Sequence, residues 1–107
     1  MFASVDTRHL SIYDRTVIRS FRHSGLKKMF EGNASRIAAN LRLRVALALS
    51  ALEAAESPLE LNVPGYRLHQ LKGDQKGTWS IAISGNWRIT FRFEEGNAHD
   101  VDLIDYH

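Results

Sequence analysis

The sequence predicts an α+β domain in which one antiparallel sheet carries two N-terminal helices on a single face. Three observations lead there. Apolar residues recur every three or four positions between Ser35 and Ala55, the stripe of an amphipathic helix lying on a core. After Pro64-Gly65 the apolar period drops to two, the period of a strand with one buried face. Short glycine-containing gaps then separate the alternating segments, and such gaps join neighbouring antiparallel strands. Helices first and strands afterwards give a layered α+β arrangement.

Taken in order, residues 1–16, "MFASVDTRHLSIYDRT", show no sustained period and read as a leader. "VIRSFRH", residues 17–23, alternates Val17, Arg19, Phe21 and His23 against Ile18, Ser20 and Arg22, which suits a short strand. "GLKKMFEGN" provides about two helical turns with Leu26, Met29 and Phe30 on one face, stopped by Gly32-Asn33. The longer helix spans Ser35 to Ala55, with the stripe Ile37, Leu41, Val45, Ala48, Leu52 and Ala55. Asn33 or Ser35 is its expected N-cap, and Ser57-Pro58 ends it, because proline disfavours helical geometry just before it.

The strands follow. "YRLHQLKG" sets Tyr66, Leu68 and Gln70 against Arg67, His69 and Leu71. A half-buried His69 with a satisfied hydrogen bond is the expectation, since it shares a face with Leu71. "GDQKG" is a glycine-bounded turn, and "TWSIAIS" turns Trp79, Ile81 and Ile83 one way. Gly85-Asn86 is a tight turn. "WRITFRFEE" sets Trp87, Ile89, Phe91 and Phe93 against Arg88, Thr90 and Arg92, Gly96-Asn97 turns again, and "HDVDLIDYH" closes the chain.

The chain has 107 residues, 44% hydrophobic and 24% charged, which suits one soluble domain with one small core. It contains no cysteine, so disulfides and a thiolate nucleophile are excluded. No stretch reaches the roughly 18 apolar residues of a membrane span, and the start lacks the layout of a secretion signal. A cytoplasmic protein is the expectation. The net charge of +2 hides segregation: residues 1–50 hold nine Arg or Lys against three acids, and residues 93–107 hold five acids and no base. A basic stretch with aromatics suits a polyanion, and equally an ordinary solvated surface.

Arg88 and Arg92 share a strand side, roughly 13 Å apart. Arginine presents a planar fork of donors that matches phosphate oxygens; for Arg92 a solvent-facing role is the expectation. His69, Lys72, Asp105, Tyr106 and His107 are further groups able to move protons or supply charge. A set of this kind suits RNA cleavage by the adjacent 2′-hydroxyl, which needs a base, an acid and cations for the phosphorane. It needs neither metal nor cofactor. The chain lacks H-E-x-x-H, a glycine-rich phosphate loop and a G-x-S-x-G elbow, which argues against metalloprotease, nucleotide and acyl-transfer chemistry.

At Leu68-His69-x-Leu71-Lys72-Gly73-Asp74, Trp79-Ser80-Ile81, Asn86-Trp87-Arg88-Ile89-Thr90-Phe91 and Asp105-Tyr106-His107 the chain resembles the HigB-type toxins. These are the plasmid-maintenance killer branch of the RelE/ParE toxin superfamily. The opening "VIRSFRHSGLKKMFE" is similar to the beginning of these toxins, so the resemblance covers about residues 17–107 as one toxin domain. It implies a RelE-like fold and a ribosome-dependent mRNA endonuclease acting in the ribosomal A site without a cofactor. It implies a helix-turn-helix antitoxin resembling HigA, and operator DNA bound through the complex. By motif position it implies His69, Asp105, Tyr106 and His107 in catalysis, with Lys72 and Arg88 on the scissile phosphate. The leader 1–16 departs from the pattern. An upstream reading of the start is the expectation, with a valine codon (GUG) at Val17 as initiator; a real extension is the alternative. Two other functions stay open: a ParE-like inhibitor of DNA gyrase, and a non-catalytic nucleic-acid-binding co-repressor.

Overall fold

The computed structural model describes residues 16–75 and 77–106. Of the expected leader only Thr16 is among them, and His107 lies outside them.

The described chain enters as an extended segment held by one carboxylate. Glu53 Oε1 accepts the backbone N–H groups of Val17 and Ile18, at 3.0 and 2.9 Å. The strand expected over 17–23 is reduced to two parallel bridges, Ile18 with Ala98 and Phe21 with Val101. The ladder fails between them because Asp100 takes a left-handed φ of 56°. Its N–H turns to Ser20 Oγ at 2.8 Å rather than to a backbone carbonyl.

Helix α1 spans Ser24–Phe30. His23 caps it: the ring Nδ1 accepts the Leu26 N–H at 3.2 Å. Leu26 is buried, while Phe30 stays exposed and meets Phe21 with ring centroids 5.5 Å apart. The second helix starts later than its periodicity suggests. Helix α2 spans Arg42–Ala54, after a short 3₁₀ turn at Ala39–Leu41. The Arg42 side chain takes the carbonyls of Ile37 (2.8 Å) and Ser35 (3.4 Å), acceptors that a continuous helix would have used itself. Asn33 does not cap the helix; its side chain accepts the Ser35 N–H at 3.0 Å and closes a local turn. The whole apolar stripe from Ile37 to Ala55 is nevertheless buried. Ser57 caps a further 3₁₀ turn, Pro58–Leu61.

The sheet is the expected meander. Strands β1 (His69–Gln70), β2 (Thr78–Ser84), β3 (Trp87–Glu94) and β4 (Asn97–Asp105) lie in that order, each antiparallel to the next. The segment expected to be a full strand from Tyr66 shrinks to two residues because Arg67 adopts φ 49°. Its neighbours still pair: Ala82 N–H donates to the Tyr66 carbonyl at 2.6 Å, and Leu71 N–H to Thr78 at 2.8 Å. The β3–β4 turn is Glu95-Gly96, with φ of 53° and 80°, and not Gly96-Asn97. Positive φ at both central residues is the geometry that matches the twist of a two-residue hairpin.

Helix α2 packs on β2 and α1 on β4. Ile81, Ile89 and Leu103 are in register on the helix side, where Phe91 and Val101 have no exposed surface. Burying each such side chain contributes roughly 1.5–3 kcal/mol. On the opposite face His69, Ser80, Thr90 and Asp102 form one row across the four strands.

The Glu53 contact can be tested directly. Glu53→Ala leaves two backbone donors without their partner, one of them on buried Ile18. It is expected to lower the unfolding free energy by about 2 kcal/mol in urea titration, with a smaller loss for Glu53→Gln, which keeps an acceptor oxygen.

Candidate active site

On leaving β1 the chain builds one wall of an open cleft of about 410 Å³, lined by His69, Gln70, Leu71, Lys72 and Gln75. Tyr106 supplies the facing wall. Nothing in the periodicity required this meeting, because β1 and β4 lie at opposite ends of the strand order. The chain end is brought in by the Tyr106 N–H, which donates to the Asn86 carbonyl at 2.7 Å. That bond ties the tail to the β2–β3 turn, and the Tyr106 side chain is left 55% exposed.

His69 is exposed, not half-buried as its pairing with Leu71 suggested. It sits on a two-residue edge strand, on the sheet face away from the helices. Its Nδ1 lies 3.2 Å from the Arg67 carbonyl. A carbonyl only accepts, so Nδ1 carries the hydrogen, and in the neutral ring the lone pair is on Nε2. The carbonyl presented by the left-handed turn at Arg67 thus selects the tautomer. Lys72, also exposed, follows where the chain enters the 3₁₀ turn Gly73–Gln75.

The other expected site residues are placed differently. Arg88 pairs with Ile104 and by strand alternation shares a face with Tyr106. Its Nη1 donates to the carbonyls of Gly85 (2.9 Å) and Trp87 (3.1 Å), which holds the guanidinium at the β2–β3 turn. Asp105 pairs with Trp87 and falls on the helix-side face with Leu103. His107 lies outside the described residues. The structure therefore gathers His69, Lys72 and Tyr106 at one cleft, holds Arg88 on the adjoining turn and directs Asp105 to the other face.

Gln70 and Gln75 also line the cleft and were not singled out in the sequence. A neutral amide in a turn carries no periodic or titratable signal. The one available hint was that Gln70 fills the variable position between His69 and Leu71.

Arg92 is not simply solvent-facing. Its Nε donates to Asp100 Oδ2 at 2.9 Å, and its Nη1 pairs with Glu94. The hydrogen bond from Arg92 holds the Asp100 carboxyl below its ordinary range, with the charges of Arg92, Arg22 and His99 adding to it against desolvation. The hydrogen bond that Arg92 donates to Asp100 and the charge of Glu94 push Arg92 up in turn. Two carboxylates thus neutralise the second arginine of β3. Among the described residues no group of three or more His, Asp or Glu is arranged to hold a metal ion, and no helix is long and apolar enough to cross a membrane.

A four-stranded meander with its helices on one face and a polar cleft at the chain end is the architecture of a RelE-like toxin. The comparisons give the family. A model described as the RelE-like toxin of type II toxin-antitoxin system HigB matches residues 19–107. The chain is 46% identical over 92 residues to the Endoribonuclease HigB of Proteus vulgaris, covering 85% of this chain and 100% of that relative. The chain belongs to the HigB-like toxin family.

The Arg92–Asp100 pair makes a signed prediction. A carboxyl whose folded pKa is lowered stabilises the fold above its unfolded pKa and loses that contribution as pH falls through the folded value. The melting temperature of the native chain should exceed that of Asp100→Asn at pH 7. The difference should shrink once pH drops below about 4, the ordinary aspartate value. A difference unchanged down to pH 2 would show that the charge is not its source.

Proposed function

We propose that this chain is the toxin of a type II toxin–antitoxin system and an endoribonuclease that cuts mRNA on the ribosome, so arresting translation. The observation that carries the reading is the convergence of His69, Lys72 and Tyr106 on one open cleft, in a chain 46% identical to an endoribonuclease. The partners on this reading are a helix-turn-helix antitoxin, the ribosome with its mRNA, and operator DNA reached through the antitoxin complex. The compartment is the cytoplasm.

The chemistry follows from the side chains. The 2′-hydroxyl oxygen attacks the adjacent phosphorus while a base takes its proton. The new O2′–P bond closes a cyclic phosphate as the P–O5′ bond breaks, and the departing 5′-oxygen takes a proton from an acid. His69 suits the first step, because its Nδ1 is engaged by the Arg67 carbonyl and Nε2 is the nitrogen with the free pair. The Tyr106 hydroxyl and His107 suit delivery of the second proton; Asp105, carried on the helix-side face, takes no step. Lys72 supplies a compact positive charge for the phosphorane oxygens. Arg88 joins it by exchanging its bonds to Gly85 and Trp87 for phosphate. That exchange is favourable because a charged acceptor makes a stronger hydrogen bond than a neutral carbonyl does.

Primer extension on cellular mRNA after brief induction tests the proposal. The expected result is in-frame cuts that disappear when translation is blocked. His69→Ala should reduce cutting by about 10²–10⁴-fold, the usual contribution of a proton-transfer group. Tyr106→Phe should also reduce it, with both variants still folded. Wild-type cutting by both variants would remove the assigned roles. Broken DNA with intact mRNA would indicate a gyrase poison instead.

A further inference from the structure

The sheet edge that carries His69 departs from a regular ladder at one residue. His69 pairs with Ser80 and Gln70 with Trp79, and Leu71 N–H donates to the Thr78 carbonyl at 2.8 Å. In an antiparallel ladder every second pair exchanges both of its N–H···O bonds. The same register would therefore set Arg67 opposite Ala82, with the Arg67 carbonyl accepting the Ala82 N–H. It does not: Ala82 N–H donates to the Tyr66 carbonyl instead, at 2.6 Å. Arg67 is thus the extra residue of a bulge in an edge strand, and it takes the left-handed φ of 49°.

Two features separate this bulge from an ordinary strand end. Gly65 stands two residues earlier with φ 94°, yet a second left-handed position falls on an arginine, whose Cβ makes that conformation costly. The segment is also held on both sides, by the Tyr66–Ala82 and Leu71–Thr78 bonds, so its surroundings impose the conformation. Strain of this kind gathers at functional sites, where the rest of the structure maintains it. What it yields here is a carbonyl freed from the ladder, and that oxygen lies 3.2 Å from His69 Nδ1.

We infer that Arg67 is a positioning residue that acts through its main chain: the bulge takes its carbonyl out of the ladder and gives it to His69, so that the neutral ring keeps its hydrogen on Nδ1 and its lone pair on Nε2 for the 2′-hydroxyl. The inference rests on the nuclease reading above and adds the device that sets the histidine. In water a neutral histidine ring favours the hydrogen on Nε2, so without this acceptor the lone pair would lie mostly on Nδ1. The requirement falls on the backbone at position 67 and not on the guanidinium.

Three substitutions separate backbone from side chain. Arg67→Gly and Arg67→Asn remove the charge but keep a residue that accepts a left-handed φ. Arg67→Val keeps neither, since a β-branched residue disfavours that conformation and favours a regular strand. One readout is nitrogen-15 NMR of the His69 ring in the purified toxin, assigned by the signal lost in His69→Gln, at about pH 8.5, roughly two units above the ordinary histidine value. The other is the kinetics of cutting ribosome-bound mRNA. Wild type, Arg67→Gly and Arg67→Asn should show the Nδ1–H tautomer, with kcat values within about threefold of one another. Arg67→Val should shift toward the Nε2–H tautomer and lose at least about 10-fold in kcat, the scale on which removing a histidine's orienting partner acts, with KM changed by less than about threefold. A wild-type ring with its hydrogen on Nε2 would overturn the inference whatever the variants do, which covers an Arg67→Val chain that does not fold. Wild-type kcat and tautomer in folded Arg67→Val would also overturn it. So would a KM raised equally in all three variants, since the guanidinium would then be the working group. Each of these outcomes leaves the nuclease reading standing. Wild-type toxin that leaves ribosome-bound mRNA uncut would overturn both.

Discussion

The arrangement depends on β4 being hydrogen-bonded on both edges between Ala98 and Val101. Antiparallel β3 lies on one side, and the entering segment around Ile18 and Phe21 runs parallel on the other. A terminal strand with one free edge would fray, since the last residues of a chain order only when something ties them down. Here β4 ends the strand order, but its first half, from Ala98 to Val101, is flanked on the outer side by the entering segment. Ala98, Val101 and Leu103 are buried along its length. The carboxylate of Glu53 secures the outer neighbour by accepting the N–H groups of Val17 and Ile18. A helix side chain thereby holds the segment that flanks β4, and β4 in turn carries Tyr106 to the cleft.

A bulge reconciles this double pairing with a twisted sheet. Between the Thr90–Asp102 and Arg92–His99 pairs, β4 spends one more residue than β3. An extra residue bends and twists its strand locally. Aspartate tolerates the left-handed conformation needed there better than a branched residue would. At Asp100 the backbone N–H reaches Ser20 while the side chain reaches Arg92. The same residue joins the entering segment, β4 and β3, and it withdraws Arg92 from any role with an anion. The other arginine of β3, Arg88, is held instead by carbonyls of the β2–β3 turn.

Much of the fold was legible because burial on one face leaves a period in the sequence. The stripe from Ile37 to Ala55 and the alternation from Trp87 to Phe93 came directly from that constraint. What failed to show were features set by single hydrogen bonds. The late start of α2 follows from where the Arg42 guanidinium reaches. The loss of most of β1 follows from one left-handed residue, Arg67, which is neither glycine nor asparagine. Side-chain identity carries no mark of either. The same distinction runs through the site. The candidate residues could be named from their chemistry and motif, yet His69 was assigned the wrong exposure because its face was inferred from Leu71. The meeting of His69 with Tyr106 depends on a main-chain bond to Asn86, which any residue at that position could accept.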